Sequence, residues 1–214
     1  MTVLRINLII LVLLSSSIVY AQFGLKAGMN RASEIKSFSQ PNITAAYNSN
    51  NLQGYQIGLV YQLMPKKSGL GMEIGALISQ KGSTFKIDSI DLDNVYKEGY
   101  REINYLEIPL NIRYRLSIGF IGVYGFGGIY GGYALSAKMV NETANTSYEE
   151  VFGSFMERAD YGYNFGAGIE LFRKIQLGAT FSQGIKNTAL INSTLPQPTN
   201  STNRVTTVNF VYMF

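Results

Sequence analysis

The stretch YLEIPLNIRYRL, residues 105–116, alternates between apolar side chains and a second set that is polar, charged or proline. Leu106, Ile108, Leu110, Ile112, Tyr114 and Leu116 form the apolar set, and Glu107, Pro109, Asn111, Arg113 and Arg115 form the other. Successive side chains of a β-strand point to opposite faces, so a two-residue period indicates a strand. The stretch therefore predicts a strand with one apolar face, and a local bulge at Pro109, which has no N–H for the ladder.

The same alternation recurs along the chain and predicts eight strands. They cover residues 23–30, 54–63, 70–79, 106–116, 120–138, 160–171, 175–184 and 207–214. Apolar residues at helical spacing are missing. The phase of strand 120–138 stays open, because Gly127, Gly128, Gly131 and Gly132 allow a bulge that switches the two faces.

The connections between these strands alternate in length. Short ones at residues 64–69, 117–119 and 173–174 alternate with long polar ones at about 34–52, 85–101, 139–159 and 188–203. Short turns at one end and long loops at the other are typical of outer-membrane barrels. The sequence thus predicts an all-β fold, an eight-stranded antiparallel up-and-down transmembrane β-barrel over residues 22–214, with both termini periplasmic.

Residues 1–21 have the layout of a secretory signal peptide, with Arg5 before an apolar run from Leu8 to Leu14 and cleavage expected after Ala21. A membrane-spanning helix is the competing interpretation, and it needs about 20 apolar residues. Three serines, residues 15–17, interrupt this stretch. The absence of Cys excludes a lipid anchor on an N-terminal cysteine and any disulfide framework.

A soluble secreted barrel is the rival architecture, and the second set of side chains argues against it. That set is mostly Gly, Asn, Gln, Ser and Thr with a few charges, a poor water-facing surface. It suits the crowded lumen of an eight-stranded barrel, which has room only for side chains. Lipid on the outside also requires the sheet to close, because unpaired edge groups in hydrocarbon are costly.

The last strand carries an apolar row of Val208, Phe210, Tyr212 and Phe214. We expect this row to face lipid, with Phe214 at the periplasmic boundary, where aromatic side chains are favourable. A final strand of this kind is similar to the signal that the barrel assembly machinery of Gram-negative bacteria recognises. The row is therefore a candidate assembly signal.

By phase, several charged side chains are expected to face the lumen: Lys26, Glu73, Glu107, Arg113, Arg115 and Glu170, with Lys81 and Asp160 nearer the outer rim. Buried charges persist when they are paired and hydrogen-bonded, and these opposite charges balance. We therefore expect an interior ion network that fills the barrel, with a conducting pathway as the alternative.

The composition bears on the remaining function classes. The chain has no His and no Cys, which removes the usual catalytic base and the main metal ligands, so no enzyme, metal site or cofactor is expected. The acidic segment from Asp88 to Asn94 is interpreted as a solvated loop, because it lacks the glycine and distant Glu of a calcium loop. Basic residues are scattered and the formal net charge is +4, so no nucleic-acid partner is indicated.

Several segments together resemble the outer membrane protein β-barrel domain family, which includes PorT-like proteins and small barrels of the OmpA and OmpX type. They are FGLKAGMN from Phe23, EIGALISQKG from Glu73, YLEIPLNIRYRL from Tyr105, DYGYNFGAGIEL from Asp160, FSQGIKN from Phe181 and the terminal VYMF. The resemblance covers nearly all of the chain after residue 21 and implies a barrel in contact with outer-membrane lipid.

Two function classes follow. The first is a non-enzymatic barrel whose long outer loops have a structural or binding role. The alternative, implied by the PorT-like members, is a component of an envelope secretion or transport assembly with a protein partner.

Overall fold

The computed structural model describes residues 19–37, 47–65, 69–87, 98–143, 145–149, 152, 154–187 and 200–214. These residues are almost entirely β-structure. The strands are β1 Val19–Ser37, β2 Tyr47–Pro65, β3 Gly69–Ile87, β4 Glu98–Ile118, β5 Ile121–Asn141, β6 Thr146–Glu149, β7 Ala159–Leu171, β8 Ile175–Gly184 and β9 Asn200–Met213. One short helix, α1 Phe155–Arg158, precedes β7.

Eight of these strands form a closed antiparallel ring. Each pairs with its neighbours in the order β1, β2, β3, β4, β5, β7, β8, β9, and β9 returns to β1 from Gly24↔Met213 to Ser37↔Asn200. Strand β6 stands outside the ring and pairs only with the end of β5 among the described residues. The predicted eight-stranded barrel is confirmed, with β6 as an addition from the long connection before β7.

The barrel is apolar outside and largely polar inside. Met29 on the outer wall is 72% exposed, whereas Arg113 and Gln176 in the lumen are 2% and 0% exposed. A soluble barrel has the opposite arrangement, because water-facing apolar walls are unfavourable. The outer face of β4 is apolar from Leu106 to Leu116, close to the 9–11 residues that a tilted strand needs to cross a bilayer.

Outward-facing aromatic residues border this apolar band at both ends, as in other transmembrane barrels. Those at the short-turn end are Phe23, Tyr61, Tyr114, Phe120, Phe172, Tyr212 and Phe214, and those at the long-loop end are Tyr55, Tyr133, Tyr161 and Tyr163. Phe120 and Phe172 stack across two turns, with ring centroids 5.2 Å apart.

The strands continue well beyond the apolar band at the long-loop end. Strands β4 and β5 have 21 residues each, and the ladder between β1 and β9 runs through polar pairs such as Glu34↔Asn203. The predicted long connections at 34–52 and 85–101 are therefore too wide, and the strands leave only 38–46 and 88–97 between them. The apolar alternation ends at the edge of the apolar band, whereas the backbone pairing of the strands continues beyond it.

Pro109 causes no bulge, so that prediction is wrong. The β3–β4 register is the same on both sides of it, with Ile74↔Leu110 before and Leu77↔Glu107 after. The ring of Pro109 lies opposite Gly75, where an added Cβ would be 3.2 Å from Pro109 Cγ. Glycine therefore makes room for the ring, and the strand loses ladder bonds there without shifting.

Strand β5 does switch faces, at a different place from its glycines. Gly127 and Gly128 pair regularly with Ile112 and Asn111. The register shifts where Asn104 pairs with Ser136 and Tyr105 pairs with Ala134, which leaves Leu135 as the extra residue. Even-numbered residues face the lumen before this bulge, and odd-numbered residues such as Ala137 face it afterwards.

The predicted signal peptide lies mainly outside the described residues. Residues 19–21 belong to β1 and pair with residues 63–65, so cleavage after Ala21 would leave Gln22↔Gln62 as the first pair. The boundary stays a prediction. Within the described part of the chain, no helix is long and apolar enough to cross a bilayer.

Candidate functional site

The lumen nearest the short turns holds a buried ion pair between Arg113 and Glu73. Arg113 Nη1 donates to Glu73 Oε2 over 2.8 Å, and Arg113 Nη2 donates to Gln176 Oε1 over 2.9 Å. The guanidinium lies over the ring of Tyr124, 3.5 Å from its centroid. One side chain on β4 thereby contacts groups from β3, β5 and β8.

Two glutamines connect this pair to a second one. Gln62 and Gln176 exchange amide hydrogen bonds of 3.2 and 3.1 Å, and Gln176 Nε2 also donates to Glu170 over 2.9 Å. Arg115 Nη1 donates to the other carboxylate oxygen of Glu170 over 2.9 Å, and Arg115 Nη2 donates to the Pro65 carbonyl oxygen. The two ion pairs therefore belong to one network.

Lys26 also lies in the lumen, with 6% of its surface exposed. It is near enough to Glu73 for an electrostatic interaction. Among the described residues, however, no carboxylate lies within ion-pairing distance of its ammonium group. Lys26 therefore lies in the lumen without a direct ionic partner among the described residues.

A neutral layer follows towards the long loops. Asn30 donates to Ser79 Oγ over 3.2 Å and to the Tyr55 carbonyl oxygen over 3.0 Å, and it accepts from Thr207 over 2.9 Å. Asn209 donates to Thr180 over 2.7 Å. These short polar side chains fill the middle of the lumen with hydrogen bonds instead of charges.

Above this layer, Lys81 lies between two carboxylates. Its ammonium is 2.9 Å from Glu107 Oε2 and 3.2 Å from Asp160 Oδ2, and it lies 4.2 Å from the centroid of the Tyr130 ring. Asn203 Nδ2 also donates to Asp160 over 2.9 Å. Glu107 therefore belongs to the Lys81–Asp160 cluster and is not bonded to the arginine network with which the sequence grouped it.

The outermost cluster was missed from the sequence. Glu34 Oε1 accepts from Arg101 over 2.6 Å, and Glu34 Oε2 accepts from Ser83 over 2.9 Å and lies 2.9 Å from Lys36 Nζ. The sequence predicts Glu34 and Arg101 in loops, because the apolar rows beside them end earlier. Their spacing relative to inward residues of the same strands was the signal that could have found them.

The lumen offers paired charges and little reactive chemistry. No cluster of metal-ligating side chains occurs in the ranges that the structure describes, and the segment from Asp88 to Asn94 lies outside those ranges. At the long-loop rim, burial lowers the pKa of Lys186, although Asp160 and Glu157 act in the opposite direction. Lys186 donates to the Ala159 carbonyl oxygen over 2.7 Å, which ties the start of β7 to the end of β8.

The candidate assembly signal lies on the outer wall. Val208, Phe210 and Tyr212 all face outward, and Phe214 beyond them is 67% exposed. The Phe214 N–H donates to the Phe23 carbonyl oxygen over 2.8 Å, and its ring meets that of Tyr212 edge to face at 5.6 Å. Recognition of this row by the assembly machinery stays a prediction.

A closed ring with an apolar wall, aromatic borders and a hydrogen-bonded polar lumen defines a transmembrane β-barrel of the outer-membrane type. The family model described as outer membrane protein beta-barrel domain matches residues 15–189. The chain belongs to that family, and it is an outer-membrane β-barrel protein. The resemblance found in the sequence is thereby confirmed.

Solved structures of small outer-membrane barrels are similar to this chain. The outer membrane protein OprG from Pseudomonas aeruginosa has 15% identity and a TM-score of 0.50, covering 92% of this chain and 98% of its own. Ail, the attachment invasion locus protein of Yersinia pestis, has 12% identity and a TM-score of 0.45, covering 91% and 99%. At such identities the likeness to OprG supports the fold alone. No curated protein sequence matches the chain.

Proposed function

We propose that this protein is a non-enzymatic outer-membrane barrel with a side-chain-filled lumen, whose long-loop end has a structural or binding role outside the cell. The short turns and both termini lie in the periplasm in this proposal. The observation that carries it is a lumen crossed at two levels by direct contacts between distant strands.

The first crossing joins β4 to β8, where Arg113 donates to Gln176, and β2 to β8, where Gln62 bonds the same residue. The second joins β3 to β7, where Lys81 meets Asp160. In each case two strands of the ring lie between the partners. Because an eight-stranded barrel is only wide enough for side chains, such contacts support a lumen without a continuous water column.

The long-loop end supports the second half of the proposal. On the outer face of β4, apolar Leu106 gives way to Asn104 and Glu102, so the wall becomes polar where it leaves the lipid. Paired strands continue beyond that point and extend the wall past the apolar band. Catalysis is not proposed, because the chain has no His or Cys and its buried charges are held by one another.

Single-channel recording tests the filled lumen. Purified barrel that shows heat-modifiable gel migration is inserted into planar bilayers, and we expect no stable porin-like conductance steps. A variant in which Arg113, Glu73 and Gln176 are all replaced by Ala provides the matched control, because it removes the first crossing. The control should show more frequent openings than the native chain. Large, reproducible steps from the native chain would contradict the proposal.

A role in a secretion or transport assembly is the alternative function. Affinity purification from cross-linked envelopes separates it from the proposed role, since an assembly component should bring stable envelope proteins with it.

A further inference from the structure

The lipid-facing wall contains a groove where β4, β5 and β7 meet. Gly131 on β5 lies between Ile108 on β4 and Tyr161 on β7. An added Cβ at Gly131 would meet no heavy atom within 4 Å, so the space in front of it is open. The resulting groove has a volume of about 310 Å³.

The lining of the groove is apolar on the side that faces the bilayer. Gly131 forms its floor, Leu106 and Ile108 form one wall, and Tyr161 forms the other, with Tyr133 at its upper end. Asp160 also borders it, but its carboxylate points inward to Lys81. The groove lies in the half of the apolar band that is nearer the long loops, so it is open to hydrocarbon.

A cation lies at the upper end of the groove. The Arg158 guanidinium is 5.7 Å from the centroid of the Tyr133 ring, and its Nη1 donates to the Ala134 carbonyl oxygen over 3.0 Å. No carboxylate pairs with Arg158 in the part of the chain that the structure describes. Phe155 and Met156 beside it are exposed and apolar, as expected of side chains at a membrane interface.

We propose that this groove binds one phosphorylated glycolipid of the outer leaflet, with an acyl chain against Gly131 and a phosphate at Arg158. The assignment of the leaflet rests on the orientation in the proposed function, with the long loops outside. Phosphorylated, acylated sugar lipids of the lipid A class form that leaflet in bacterial outer membranes. Arginine suits a phosphate because its planar donors match the geometry of the oxygens.

The dimensions favour a lipid chain over a protein. Stable protein interfaces bury roughly 1,200–2,000 Å² in total, and this groove is centred on a single glycine between two neighbouring strands. A second barrel or a helix would rest on the flanking side chains Ile108, Ile129 and Tyr161 without filling the space. An acyl chain is narrow and flexible enough to enter it.

Native mass spectrometry of the refolded, full-length barrel tests the site with purified lipid A as the probe. Gly131→Leu fills the groove, and Arg158→Gln removes the cation. The matched controls are Gly125→Leu, on the same outward face of β5 but outside the groove, and Arg204→Gln, an exposed arginine on β9. Heat-modifiable migration of every variant shows that it has folded.

We expect one tightly retained lipid A on the native chain and on both controls. Arg158→Gln should weaken retention about tenfold, since a hydrogen bond to a charged group is among the stronger ones. Gly131→Leu should weaken retention about tenfold as well, because its side chain fills the groove. Dephosphorylated lipid A should bind the native chain more weakly, should still lose affinity on Gly131→Leu, and should be insensitive to Arg158→Gln.

Three outcomes would overturn the proposal. They are equal retention by all variants, equal retention of phosphatidylglycerol, or a concentration-dependent dimer that Gly131→Leu abolishes, which would assign the groove to a second copy. If surface labelling showed the long loops in the periplasm, the proposed function would fail while binding in detergent could still be measured.

Discussion

Among single residues, Arg113 shows how the lumen stabilises a charge that is buried away from water. Its guanidinium meets the Glu73 carboxylate, the Gln176 amide oxygen and the face of the Tyr124 ring. Removing an ion from water costs several kcal/mol, which a close partner and further hydrogen bonds offset. The loss of one partner should therefore be worse than the loss of both.

We predict that Arg113→Met destabilises the barrel by about 3–5 kcal/mol, because Glu73 is left as a buried charge with weaker partners. The double variant Arg113→Met with Glu73→Gln should recover part of that loss. Urea unfolding in detergent, followed by the heat-modifiable gel shift, measures the free energy of unfolding. Ile112→Met, on the lipid face one residue away, is the control and should change it little. A double variant as unstable as the sum of the single ones would contradict this account.

The sequence predicts which face these charges occupy and does not predict their partners. Alternation assigns Glu107 and Lys26 to the lumen, because the side-chain period of a strand is two. Whether Glu107 meets an arginine or Lys81 depends on the relative heights of β3, β4 and β7, which the register sets. That information is spread over the ladders and is absent from any single strand.

At the scale of elements, β5 carries the most glycines and uses them in two ways. Gly128 faces the lumen, and a Cβ there would fall within the backbone of Leu110 and Asn111. Gly125 faces outward, and a Cβ there would be 3.8 Å from its nearest neighbour, the Gly166 carbonyl oxygen. Glycine is needed at position 128 for the close approach of β4, and it is not needed at position 125.

We therefore predict that Gly128→Ala lowers the yield of folded barrel several-fold, while Gly125→Ala leaves it near the native level. The strand pair must separate to admit the first methyl group, and overpacking of this kind costs about 1–3 kcal/mol or more. Refolding yield in detergent, measured by heat-modifiable migration, gives the comparison within one strand. Equal yields for the two variants would show that β4 and β5 tolerate the separation.

Strand positions are predictable from sequence only where lipid imposes a pattern. The apolar row from Leu106 to Leu116 is visible because every second residue must meet hydrocarbon. Near Glu34 and Arg101 each face mixes polar residues with apolar ones such as Ile35 and Ile103, so the pattern disappears although the ladder continues. The bulge at Leu135 is not predictable from the sequence for a similar reason. Leu135 and Ser136 lie where the apolar band ends, so either residue is acceptable on the outer face.

At the scale of the whole molecule, the inverted distribution of polarity is the feature that the sequence predicts best. It combines an apolar wall, a lumen of small polar and charged residues, and turns of unequal length at the two ends. Closure follows physically, because an open edge in lipid would leave backbone groups without partners. The proposed orientation rests on the same asymmetry, and it can be tested directly because the chain contains no cysteine.

We predict that a cysteine at Lys138, on the exposed end of β5, is labelled by a membrane-impermeant maleimide in intact cells. A cysteine at Lys174, in the turn between β7 and β8, should be labelled only after the outer membrane is broken. Both lysines are exposed in the structure, so access to the reagent depends on the side of the membrane and not on burial. Outer-membrane fractions from both variants must show heat-modifiable migration for the comparison to hold. Labelling of Lys174→Cys alone in intact cells would invert the proposed orientation and place the long-loop end, with its Glu34–Arg101 cluster, in the periplasm.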